Sequence, residues 1–214
     1  MAVYQIDKIL EDVRVSLDMN SSSDTLAQVN DTDTLSLNDI IKSKIIDGVR
    51  IVHSAAPIYL LDDEVCDFGN NLYWREELPD SGFVLLPDDF MRLIAFRMSD
   101  WSHAVYNAIT PAHPEYMKQS SPFKGIRGNC QKPVCAIVLK PEGMALEFYS
   151  CKDTNAGISE ASYLPYPIIE NERIKICQKC YQGTIYTIAS LVSATLGNTD
   201  MQNMFNELAK STMI

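Results

Sequence analysis

The sequence predicts an α+β fold: a helical bundle made from N- and C-terminal helices, with a mixed β module inserted between them. Three observations point there. Near both ends, apolar residues recur every three or four positions, as on a helix face. From 58 to 170 they come instead in short runs, several alternating, separated by Pro, Gly, Asn and Asp. Helical stretches flank the β-like region on both sides, so the two ends must close on each other to bury their stripes. The expected organisation is one domain in three parts: an N-terminal helical pair over 1–57 with a polar linker at 20–34, a β-rich insertion with long loops over 58–170, and C-terminal helices over 171–214 that complete the bundle.

Val3, Ile6, Leu10, Val13 and Leu17 form the first stripe, about four turns of amphipathic helix. Ser21-Ser22-Ser23-Asp24 and Asn30-Asp31-Thr32-Asp33 make the next stretch too hydrophilic to bury. A second helix follows, capped by Ser36 or Asn38, with Leu37, Ile40, Ile41, Ile45, Val49 and Val52 on its apolar face. Gly48 weakens it locally, and Ala55-Ala56-Pro57 stops it, since proline has no N–H and restricts its predecessor.

Ile58 to Leu61 reads as a short extended run, and Asp67 to Trp74 as a hairpin about Gly69-Asn70-Asn71. Gly82–Leu86 and Met91–Met98 read as strands around Pro87-Asp88-Asp89, a turn expected to mark the hand-over from helices to β module. There Pro87 and Asp88 shape the turn, and Phe90, Leu93 and Ile94 anchor it. Thr110–Asn129 reads as a long surface excursion with one helical turn near Pro114–Gln119. Pro133–Lys140 and Met144–Cys151 form a hairpin about Pro141-Glu142-Gly143. The longest helical signal runs from about Ile174 to Leu196 and stops at Gly197-Asn198. Thr199 and Asp200 then cap a last helix over Met201–Lys210.

Composition limits function. A net charge of −10 disfavours a surface that grips nucleic acid, because phosphate binding needs clustered Lys and Arg. It permits a surface that DNA slides past. No apolar run approaches the ~20 residues of a membrane span, and the first residues lack a basic region followed by an apolar core, which predicts no signal peptide. The six cysteines then read as free thiols in a reducing compartment.

No motif supplies an active site. Cys177-x-x-Cys180 and Cys130-x-x-x-x-Cys135 together offer four thiolates, the set a tetrahedral zinc takes. Cys135 falls in an apolar strand, however, and Cys177 and Cys180 at the entry to an apolar helix, where cysteine serves as a small hydrophobe. His53, His103 and His113 form no ligand spacing; His53 is expected to end a helix, facing free carbonyls, and the other two to lie at the surface. The acidic groups Asp62-Asp63-Glu64, Glu76-Glu77 and Asp88-Asp89 each sit beside a turn, where acids solvate or cap. No P-loop, G-x-G-x-x-G or G-x-S-x-G occurs. Lys118, Lys124 and Arg127, with Tyr116 and Phe123, make an aromatic-plus-basic loop that reads first as a solvated loop, with contact to phosphates or to an acidic protein neighbour as the alternatives.

Three stretches carry a resemblance. They are the helical pair ending Asp47-Gly48-Val49-Arg50-Ile51-Val52-His53, the phrase Leu86-Pro87-Asp88-Asp89-Phe90-Met91-Arg92-Leu93, and the late helix Ala189–Leu196 with its Gly197-Asn198 stop and short terminal helix. In order and spacing they resemble the head–tail connector (adaptor) ring proteins of short-tailed phages, of the tubular tail A or gatekeeper type, including the ring proteins of crAss-like phages. The resemblance implies a non-enzymatic virion protein, made in the host cytoplasm and assembled as a homo-oligomeric ring, typically twelve-fold, beneath the portal. Such a ring extends the DNA channel without specific DNA binding and seats the next tail component; it implies no cofactor and no membrane. The long Asp67–Cys151 region and the six cysteines depart from the simpler members. Arg92, Arg97, Lys118, Lys124 and Arg127 are the expected contacts to neighbouring subunits or partners. Two other readings stand beside this one: a small intracellular zinc-stabilised module or enzyme using Cys130, Cys135, Cys177 and Cys180, and a phage tail-completion factor that forms no ring.

Overall fold

Leu37, Ile41, Ile45, Val49 and Val52 recur almost every fourth residue, and all are buried along one side of a helix. This is α2 (Leu37–Ala55) in a computed structural model that describes residues 2–17, 36–61, 66–69, 71–78, 80–123, 125–149, 151–152 and 154–212. The polar linker at 20–34, the acids Asp62, Asp63 and Glu64, and Lys124 lie outside the described residues. Helices and strands both contribute, so the fold is α+β, and the chain divides into two units: Met1–Asp63 with Tyr166–Ile214, and Glu64–Pro165.

In the first unit α1 (Ile6–Ser16), α2 and α4 (Thr199–Thr212) all pack on α3 (Tyr181–Thr195). Ile9, Val13, Ile41, Ile45, Val49, Ile185, Ile188, Val192 and Phe205 fill the shared core. Ser36 is the residue that caps α2, accepting the Asp39 N–H at 3.2 Å. Asn38 instead accepts Arg14 Nη1 at 3.1 Å and ties α2 to α1. Gly48 has a packing role: a Cβ there would lie 2.4 Å from Ile188 Cγ1, so its absence lets α2 approach α3.

The buried hydroxyls of α3 are satisfied locally, Thr184, Thr187 and Ser193 each donating to the carbonyl four residues back at 2.8–3.0 Å. Ser190 reaches across to Asn206 Oδ1 of α4 at 2.8 Å. The Gly197-Asn198 stop is a Schellman motif: Gly197 takes φ +75°, and Asn198 N–H and Gly197 N–H donate to Ser193 O and Ala194 O. Asn198, rather than Thr199 or Asp200, caps α4, accepting the Met201 N–H at 3.1 Å.

Two helices, α1 and α3, begin later than their stripes predict. Ala2–Gln5 is a strand, β1, paired antiparallel with Arg173–Ile176, while α1 starts at Ile6. Val3, read as the first residue of the helical stripe, is exposed on β1. The long late helix likewise starts at Tyr181, because Arg-Ile-Lys-Ile alternates with the period of a strand and buries Ile174 and Ile176 on one side. A two-residue turn at Asn171-Glu172, with φ of 49° and 58°, joins this strand to Ile169–Glu170, and that pair of positive angles makes a primed hairpin turn.

The second unit holds two antiparallel sheets with a common core. Numbering in chain order, β2 is Cys66–Asp67, β3 Leu72–Trp74, β4 Gly82–Leu85, β5 Phe90–Met98, β6 Cys135–Lys140, β7 Gly143–Phe148 and β8 Ile158–Pro165; the first unit's later strands are β9 (Ile169–Glu170) and β10 (Arg173–Ile176). One sheet runs β3-β4-β7-β6 and the other β2-β8-β5. Val84, Leu146 and Phe148 from the first meet Phe90, Phe96 and Tyr163 from the second, with Trp101 edge-on to Phe96.

The hairpin expected over Asp67–Trp74 is not one. β2 pairs with β8 and β3 with β4, so the chain changes sheets at Gly69, whose φ is +114°. The run Ile58–Leu60 is a 3-10 turn rather than extended. The β6–β7 hairpin forms as its Pro-Glu-Gly turn predicts, with Lys140 paired to Gly143. The Pro87-Asp88-Asp89 turn joins β4 of one sheet to β5 of the other; it lies within the β unit and hands nothing over from the helices. Phe90, Leu93 and Ile94 are buried as expected. Asp89 holds the turn across the sheet, accepting the Tyr163 hydroxyl at 2.8 Å.

Candidate interaction surface

The segment between β5 and β6 leaves at Met98 and returns at Cys135. It is anchored at both ends by backbone pairing. Val105 exchanges hydrogen bonds with Phe96 at 2.8 and 2.9 Å, and Ile109 N–H donates to Cys135 O at 2.8 Å while Ile109 O accepts from Ile137 N–H at 2.9 Å. Trp101 is buried in the β-unit core. A 3-10 turn, Met117–Ser120, stands at the place predicted for a helical turn.

Two polar side chains of this excursion are buried and several large apolar ones are exposed. Gln119 and Arg127 are 2% and 6% exposed, whereas Met117 and Phe123 are 74% and 68% exposed, with Tyr106 and Ile126 exposed beside them in sequence. The buried polar groups do the holding. Gln119 donates from Nε2 to Glu115 O at 3.0 Å and accepts the Gly128 N–H at 2.9 Å. Arg127 Nη2 donates to Asp80 Oδ2 at 2.5 Å, and the Asp80 carbonyl accepts the Cys151 N–H at 2.7 Å. Tyr116 reaches in to Glu147 Oε2 at 3.4 Å. These inward polar side chains fix the loop, and Met117, Phe123 and Ile126 are left exposed.

Glu147, buried on β7, organises the sheet face beneath. Arg75 and Lys140 pair with its Oε1, the lysine at 2.8 Å, and the Tyr149 hydroxyl donates to Oε2 at 2.6 Å. Burial alone would push the Glu147 carboxyl up, but the Lys140 and Tyr149 hydrogen bonds and the Arg75 charge outweigh it and hold the group below the usual carboxylate range. Burial and the neighbouring carboxylate push the Tyr149 hydroxyl strongly up. The cluster is therefore an ionised acid between two cations, with no proton to exchange near neutral pH.

Several expected contacts are re-placed. Arg127 is not a surface group: it is spent on Asp80 inside the unit, and its Nε and Nη1 are buried without a partner. Arg97 donates from Nε and Nη2 to Trp101 O at 3.3 and 3.2 Å, which holds it to its own loop. Arg92 is half-buried on β5 and also engaged within the chain. Lys118 is exposed and pairs with Glu115 at 2.6 Å. Of the two loop aromatics, Phe123 faces out and Tyr116 in. Asp80 and Glu147, the acids that organise the loop, were not singled out by sequence, since neither belongs to a motif.

The cysteines fall in both units, Cys130 and Cys135 in the second and Cys177 and Cys180 in the first. Among the described residues no group of three or more His, Cys, Asp or Glu side chains is placed to hold a metal ion. Burial pushes the Cys135 thiol well up, and burial with the Cys177 hydrogen bond pushes Cys180 up to about 12. Cys130, raised by burial and the adjacent Asp100, donates to Asp100 Oδ2 at 3.6 Å. These thiols stay protonated at neutral pH and are poor nucleophiles. His53 is buried, and burial lowers it to about 4, so it is neutral and offers no charge to the end of α2; its Nε2 has no partner. His103 and His113 are at the surface as expected. Comparison with known proteins finds no family model and no curated protein that matches this chain.

Proposed function

We propose that this chain is a structural virion protein, a subunit of a head–tail connector ring that docks beneath the portal, extends the DNA channel and seats the tail. The observation that carries the reading is that the excursion buries Gln119 and Arg127 while Met117, Phe123 and Ile126 stay exposed. Apolar side chains held outward at this cost in buried polar groups fit a protein whose work is contact. The phrase Leu86–Leu93 and the helix–Gly-Asn–helix ending, which resemble the connector family, add support. In this reading the four helices of the first unit form the bundle of the ring subunit and the β unit supplies its contacts. A ring of subunits each carrying −10 repels packaged DNA and lets it pass. The protonated, buried thiols favour this role over a cysteine-based enzyme. The test is co-purification of the chain with its portal followed by electron microscopy. A coaxial ring is expected; a chain that stays monomeric and leaves portal bare overturns the proposal.

A further inference from the structure

Cys177-x-x-Cys180 has no part in the contact role, yet the fold brings its two thiols together. Cys177 follows β10 with φ −58° and ψ 125°, and Gln178–Cys180 is a single 3-10 turn that leads into α3. The Cys180 N–H donates to Cys177 O at 3.0 Å and closes that turn. Side chains at i and i+3 of a 3-10 turn eclipse, and a four-residue turn holds its end Cα atoms within about 7 Å. A disulfide spans Cα atoms about 4.4–6.8 Å apart. The two thiols are hydrogen-bonded to each other, and both are buried. The other four cysteines lie in the second unit, so within the first unit this pair has only itself to join.

We propose that Cys177 and Cys180 are a dithiol that closes to a disulfide, fastening the end of β10 to the start of α3. The position is central to the helical unit: α1, α2 and α4 all pack on α3, and Cys180 gives that helix no side-chain cap. The oxidant is a small disulfide, such as glutathione disulfide. One cysteine, as the thiolate, attacks it, forms a mixed disulfide and releases one glutathione thiolate. The second cysteine then loses its proton, attacks the protein sulfur of that mixed bond and releases the other glutathione. Each released thiolate takes up the proton its attacker lost. Two protein thiols are oxidised, and one glutathione disulfide is reduced to two thiols. Burial shields the folded pair, so exchange takes place on the open chain, and folding then closes over the bond. The fold already holds the two sulfurs together, whereas the open chain must gather them, so the folded chain favours the bond and the bond stabilises the fold.

The test equilibrates the full chain at neutral pH in glutathione buffers of graded redox ratio, once in denaturing urea and once refolded from it by dialysis. Each sample is quenched with acid, alkylated and digested with trypsin. Cleavage after Lys175 and Lys179 leaves Cys177 and Cys180 on separate peptides, so mass spectrometry reads the bond as a linked pair. The refolded chain is expected to be half oxidised at an about tenfold smaller ratio of glutathione disulfide to the square of glutathione than the denatured chain, equivalent to about 1.4 kcal/mol. The oxidised chain is then expected to melt about 3–5 °C above the reduced one. Half-oxidation at the same ratio in both samples overturns the proposal, as does a refolded chain that carries glutathione on Cys177 instead of the linked pair. Cys177→Ala is expected to abolish the gain in melting. Should that variant fail to fold, Cys177→Ser repeats the control, and a gain that survives either change overturns the assignment.

Discussion

Arg127 Nη2 donates to Asp80 Oδ2 at 2.5 Å across 47 residues of chain, and both side chains are buried. The bond pins the end of the excursion to the turn before β4. It also exposes the loop to a specific failure, because removing one charge strands the other without water. Asp80→Asn is therefore expected to destabilise the protein by about 3–5 kcal/mol, and the double change Asp80→Leu with Arg127→Met by much less. Urea denaturation of the three proteins checks this; equal losses in single and double variants would contradict it.

Gly48→Ala sets helix propensity against packing. In an exposed helix the change stabilises by about 1 kcal/mol. Here the added methyl meets Ile188 Cγ1 at 2.4 Å, and Ile188 is fully buried in the core, so the neighbouring side chains must shift. A net loss of about 1–3 kcal/mol is expected from overpacking, read as a lower thermal midpoint. A midpoint at or above that of wild type would show that α2 and α3 are less closely packed than described.

Acid should weaken the helical unit through His53. Its pKa falls from the usual 6.5 to about 4 on folding, because burial disfavours the charged ring. The unfolded chain thus binds the proton more readily. The stability that the neutral ring permits is full above about 6.5 and is lost as pH falls toward 4, a span worth on the order of 3 kcal/mol. His53→Leu should lose less stability than wild type between pH 7 and 4.5, measured by thermal unfolding across that range. Parallel pH profiles would rule His53 out as the source.

Thiol labelling distinguishes surface from core cysteines. Cys66 is exposed, Cys130 is half-buried against Asp100, and Cys135, Cys151, Cys177 and Cys180 are buried. A disulfide reagent at neutral pH should modify Cys66 first, Cys130 more slowly, and the other four only on unfolding. Rapid labelling of Cys177 or Cys180 in the folded protein, read by peptide mass, would contradict the burial.

Features with a local cause were legible in the sequence. The i, i+4 stripe from Leu37 to Val52 and the Ser36 cap specify α2, and Pro141-Glu142-Gly143 specifies the β6–β7 hairpin. Features with a distant cause were not. Ala2–Gln5 is a strand because Arg173–Ile176 pairs with it, and four residues are too few to separate a period of two from one of three or four. The turn at Asn171-Glu172 lacks the glycine that marks such turns. The positive charges of the excursion are clear in sequence and suggest a basic surface loop; that Arg127 points inward depends on Asp80, far away along the chain. That Met117 and Phe123 are exposed is likewise set by how the loop packs and not by a motif.

Electron microscopy of the full chain mixed with its portal tests the central claim most directly. Closed rings coaxial with the portal are expected. Single copies at every concentration and undecorated portal would contradict it.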